Sequence, residues 1–129
     1  MVTSFLTPLA ATPAGLVLRN TRTGRIVAAR LLPALDSESR RRGLLKHTSL
    51  DEGEAMIIAP TNAVHTWFMK FDIDIAFVTR DGRVLKTRDS VPPWRMSAAF
   101  GGYAVIEMRG GSFAAVDTVP GDVLEVVAP

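Results

Sequence analysis

The 129-residue chain contains no cysteine. That excludes disulfides, thiolate nucleophiles and zinc or iron–sulfur centres built on cysteine. No apolar run approaches the ~18 residues that suggest a membrane-spanning helix. Charge of one sign is scarce too: 15 Lys and Arg against 13 Asp and Glu leave a formal net charge of +2, too little for a strong long-range field. The isoelectric point of about 9.5 comes mostly from arginine, which stays charged to very high pH. The one basic cluster is Arg40-Arg41-Arg42 with Lys46 nearby. No aromatic residues alternate with it as a base-stacking surface would require, so it reads as a solvated helix face. No nucleic-acid partner is expected.

Familiar catalytic signatures are also missing. There is no GxSxG elbow, and Gly101-Gly102 and Gly110-Gly111 lack the spacing and following long helix of a phosphate loop. His47 has no second histidine at ligand spacing. No cofactor is predicted.

What is present points to one mostly β domain. At this length the scaling of folded surface with mass leaves about 6,700 Å² exposed, enough burial for a core without staples. Residues 1–15 carry no basic residue and two prolines, Pro8 and Pro13. A secretory signal needs a positive start and an unbroken apolar run, so a cytoplasmic location is expected. The prolines argue against helix. The segment is expected to be a flexible arm ahead of a single β-rich domain over 16–129, the alternative being that Phe5 and Leu6 dock on it.

Leu16–Arg19, Asn20–Gly24 and Arg25–Leu32 read as strand, turn, strand. Asp36 or Ser37 is a good helix cap, with Glu38 in the first turn, and a short helix is expected over about 37–46 although Gly43 weakens it. Ala55–Ile58 reads as a buried strand. From Val64 to Val78 residues alternate: His65, Trp67, Met69, Phe71, Ile73, Ile75 and Phe77 on one face, Thr66, Phe68, Lys70, Asp72, Asp74 and Ala76 on the other. The run is too long for one strand, and a break is expected near Lys70–Asp72. Asp81-Gly82 signals a hairpin returning through Val84–Asp89. Residues 90–102 read as a long loop, the kind that is often functional. A strand over Tyr103–Met108, a helical turn near 112–117 capped by Ser112, and a last strand over Val123–Val127 complete the chain. The predicted fold is a compact antiparallel sandwich or barrel-like domain, α+β being the alternative.

The ordered pieces Arg42-Gly43-Leu44, Gly53 before an apolar strand, Phe68-Met69-Lys70, Ile73-Asp74, Asp81-Gly82-Arg83-Val84 and Pro120-Gly121-Asp122 resemble a bacterial and archaeal family, domain of unknown function 192. The resemblance spans roughly residues 26–126. It implies a compact, mostly antiparallel β domain with a helix packed on it, and no activity. Many members carry proline just ahead of the aspartate that Asp74 matches; here Asp72 and Ile73 precede it.

Two surfaces carry candidate chemistry. Asp72 and Asp74, two apart on a strand, could hold a hard cation or divide acid and base roles, with Lys70 as an alternative neutralising charge. His65 would join them only if the chain bends. The other surface is Pro92-Pro93-Trp94-Arg95, in which two prolines hold the chain extended ahead of residue types enriched at binding hot spots. The alternative is that Trp94 folds back over the core.

The reading favoured is a binding or accessory module for a small molecule or protein. It would use Trp94 and Arg95 with the adjoining strand end through Trp67, Met69, Lys70 and Asp74. The alternative is a metal-assisted hydrolase using Asp72, Asp74 and His65. A monomer or weak homo-oligomer is expected.

Overall fold

The computed structural model describes residues 3–11, 14–45 and 47–129. Aliphatic and β-branched runs punctuated by glycine turns build strands β1 (Val17–Asn20), β2 (Ile26–Ala28), β3 (Arg30–Ala34), β4 (Glu54–Ile58), β5 (Ala63–His65), β6 (Ile73–Val78), β7 (Val84–Val91), β8 (Met96–Ala98), β9 (Ala104–Arg109) and β10 (Leu124–Val127). Among the described residues three short helices join them: α1 (Thr7–Ala11), α2 (Ser37–Arg42) and α3 (Ser112–Ala115).

The strands form a three-stranded sheet in the order β10-β1-β2, a five-stranded sheet in the order β3-β4-β9-β6-β7, and a two-stranded ribbon, β5-β8. The architecture is mostly β and sandwich-like, without a closed barrel. Pairing is antiparallel except between β3 and β4. A parallel pair needs a crossover of a dozen or more residues, and the stretch containing α2 supplies it.

The five-stranded sheet is covered on both faces. Ala55, Ile57, Ala76, Val78, Ala104, Ile106 and Met108 meet Leu18, Val27, Leu124 and Val126 of the smaller sheet, with Phe113 of α3. The alternate positions Met56, Ile58, Ile73, Ile75, Phe77 and Val105 meet Leu44, Leu50 and Met69. All six residues of β6 are therefore buried. The mixed face expected at Asp74 and Ala76 lies inside the protein, because a second sheet covers it.

Several boundaries differ from expectation. The Val64–Val78 run divides earlier than predicted: β5 ends at His65, a turn follows, and β6 begins at Ile73 in another sheet. Helix α2 is capped by Asp36, whose carboxylate accepts from Ser39 N–H at 2.8 Å. It stops at Arg42 rather than near residue 46, because Gly43 takes φ 48° and turns Leu44 into the core. Lys46 and Pro13 lie outside the described residues. Residues 90–102 are not one loop: they contain the end of β7 and all of β8.

Pro8 does not prevent a helix either. It sits in the first turn of α1, where its missing N–H has no partner to lose. Leu6 and Leu9 of this segment are buried in the core, and Phe5 N–H donates to Arg80 O at 2.9 Å. Residues 5–11 thus lie against the body, the docking alternative to a free arm.

Candidate functional site

The ribbon pairs Ala63 with Ala98, Val64 with Ser97 and His65 with Met96. Beyond it, two turns are tied together by Thr66, which is buried. Its N–H donates to Arg95 O at 2.8 Å, and its carbonyl accepts from Trp94 and Met69 N–H, each at 3.1 Å. Its hydroxyl donates to Pro92 O at 2.7 Å and accepts from Arg95 N–H at 2.9 Å. One threonine satisfies five backbone groups, and the tip needs that support. Phe68 and Trp94 sit at φ 64° and 70°, a left-handed backbone that costs a residue with a side chain on the order of 1–3 kcal/mol.

The result is an apolar tip facing outward. Trp67 stacks on His65 with ring centroids 4.7 Å apart, and Phe68 meets Trp94 edge-on at 4.7 Å. Phe68 is 67% exposed, Trp94 57% and Met96 66%; Phe100, fully exposed, follows β8 at the other end of the ribbon. Trp94 is therefore no lid over the core. Of the sequence candidates, Trp67, Trp94 and Arg95 come together here, with exposed Lys70 a few residues beyond the turn. Met69 does not join them; it is buried against Ile73 and Leu44. Phe68 and Met96, which the sequence reading passed over, are as prominent as Trp94.

Asp74 lies elsewhere. It is fully buried, with Oδ1 accepting from Ser90 N–H and Gly111 N–H, each at 2.9 Å, and Oδ2 from Phe113 N–H at 3.0 Å. Gly111 occupies the cap position of α3 and has no side chain to offer, so Asp74 caps that helix from a neighbouring strand. Ser112, expected as the cap, is the first helical residue. Asp72 is exposed and lines a different cavity, with Asp51 and Arg109. No ion pair joins Lys70 to either aspartate among the described residues. Asp72, Asp74 and His65 thus face three different surroundings. Among the described residues no three His, Asp or Glu side chains are grouped to hold one ion.

A carboxylate that sequence reading missed occupies the middle of the five-stranded sheet. Glu107 on β9, flanked by Met56 of β4 and Ile75 of β6 in register, is 4% exposed. Its side chain shares the face of Val105, away from the smaller sheet. It forms part of the lining of a cavity of about 370 Å³ shared with α2 and β5. Burial alone pushes its carboxyl up to about 7. A single acid inside the apolar run Ala104–Met108 was the available signal.

The family model DUF192, described as "Uncharacterized ACR", matches residues 18–126. The chain belongs to the DUF192 family. The match begins eight residues earlier than the motifs alone suggested, so it takes in β1 from Leu18 onward. A solved structure of a protein of unknown function from Novosphingobium aromaticivorans shares 27% identity over 85% of this chain and 82% of its own, with a TM-score of 0.73. A second, from Sinorhizobium meliloti and described as a candidate transcription regulator, shares 18% identity over 86% and 91% of the two chains, with a TM-score of 0.74. That second likeness concerns the fold alone. No curated protein sequence matches the chain.

Proposed function

We propose that this DUF192 protein is a binding module whose partner is a protein, engaged through the ribbon tip formed by Trp67, Phe68, Trp94, Arg95 and Met96. The observation that carries the reading is outward-facing aromatic area on a backbone held by Thr66. Scattered exposed apolar side chains are ordinary, but adjoining ones on a protruding element mark interaction sites. Pre-ordering the tip lowers the entropy cost of binding, and Trp and Arg are the side chains that most often dominate such interfaces. The basic residues of the two turns are Lys70 and Arg95, with one acid, Asp72, at the far end of the first turn. The partner segment is therefore one with aliphatic or aromatic anchors flanked by Asp or Glu.

Selection of random displayed peptides against the purified protein tests this. Expected are acidic peptides with apolar anchors, whose binding falls at least tenfold in Trp94→Ala while the melting temperature stays within a degree or two. Peptides that bind wild type and Trp94→Ala equally, or a melt lowered by several degrees, would overturn it.

A further inference from the structure

The cavity above Glu107 has an unusual polarity. Its floor holds a buried carboxyl to which no described residue donates a hydrogen bond, and the slight exposure that remains opens into the cavity. Leu44, Ile58 and Met69 make apolar walls, while Arg40, Arg41 and Arg42 of α2 line its other side. Arg40 is held in place by its guanidinium, which donates to Leu35 O at 3.0 Å. Arg41 forms no ion pair among the described residues, and Arg42 reaches Glu38 only at 4.0 Å. A volume of about 370 Å³ lies at the small end of ligand sites.

We propose that this cavity binds a small zwitterion, with an ammonium group against Glu107 and a carboxylate or phosphate among Arg40, Arg41 and Arg42. A buried acid to which no described residue donates is costly, and an ammonium brings three donors and the opposite charge. The anionic end then meets guanidinium groups suited to planar oxyanions. Apolar walls between the two ends favour a short methylene spacer. The site stands apart from the ribbon tip, although His65 lies on both.

Titration followed by amide NMR tests the proposal, with γ-aminobutyrate and phosphoethanolamine as probes and butylamine and butyrate as half-ligand controls. Shifts are expected at Arg40–Arg42, Ala63–His65 and Glu107, larger affinity for either probe than for both controls, and the stronger of the two probes identifies the anion. Glu107→Gln should weaken binding at least tenfold, and Arg41→Ala should weaken it without altering the fold. Because the free acid titrates near 7, affinity should rise about tenfold from pH 6 to pH 8. The other groups lining the cavity are the three arginines, charged throughout, and His65. A Glu107 that keeps its proton to donate to the ligand would instead give binding that weakens as pH rises. Affinity that falls as pH rises, undiminished binding in Glu107→Gln, or no shift at these amides would overturn the proposal.

Discussion

Asp74 and Glu107 are both acids buried on central strands, and their hydrogen-bond surroundings differ. Asp74 accepts from three N–H groups, whereas no described residue donates to Glu107 and burial pushes its carboxyl up. Hydrogen bonds to a charged group contribute about 1.5–3 kcal/mol each, and an N–H left buried without a partner costs a further 1–3 kcal/mol. Asp74→Ala should therefore lower the melting temperature by ten degrees or more, and Asp74→Asn by less, since an amide keeps one acceptor oxygen. Calorimetry of the two variants checks this; a melt unchanged in both would mean the carboxylate is free for chemistry.

At the scale of elements, the ribbon tip is ordered by polar bonds rather than by packing. The aromatic rings lie outside both cores, so removing the Thr66 hydroxyl should loosen the tip and leave the sheets intact. Local openings of this kind cost far less than global unfolding. Thr66→Val is expected to speed tryptic cleavage after Arg95 several-fold while shifting the melt by only a few degrees. Equal cleavage rates would mean that the backbone bonds suffice. The ends of α2 and α3 are set differently: Gly43 ends the first, and the N-terminal cap of the second comes from Asp74, a residue distant in sequence.

For the whole molecule, two acids shifted in opposite directions shape stability against pH. Asp122 joins Asn20 of β1 to the turn before β10, accepting from Asn20 Nδ2 at 2.8 Å and from Arg22 Nε at 2.6 Å. Its bond to Arg22, chiefly, holds its carboxyl down to about 2. A depressed acid contributes stability above its unfolded value near 4, lost as pH falls towards 2. Glu107 has the opposite sign. Its folded value of about 7 exceeds the ordinary 4.5, so the unfolded chain releases that proton first, and stability falls as pH rises from about 4.5 to 7, by ~3 kcal/mol in all. Stability should peak near pH 4–5. Melts across pH 2–9 should show Glu107→Gln flattening the upper limb and Asp122→Asn the lower. A wild-type maximum above pH 7 would contradict the Glu107 assignment. The surface of 6746 Å² meets the value scaling gives for a folded chain of this mass.

Local chemistry was legible in the sequence. The Asp81-Gly82 hairpin forms as its residues demand: Gly82 takes φ 91°, and a side chain there would strike Leu124 O. Asp36 caps α2, and the ordered motifs located the family. Apolar runs marked the central strands, and the absence of cysteine had already removed whole classes of site. What alternation leaves open is what covers each face, because that depends on residues far along the chain. Asp72 and Asp74 shared a pattern yet separated when a new sheet began at Ile73. Trp94 joined Phe68 through a threonine 28 residues earlier. Glu107 became a site only when α2 and β5 closed over it. Periodicity is a property of neighbours in sequence, whereas burial and hydrogen-bond partnership are settled by the contacts that tertiary folding makes.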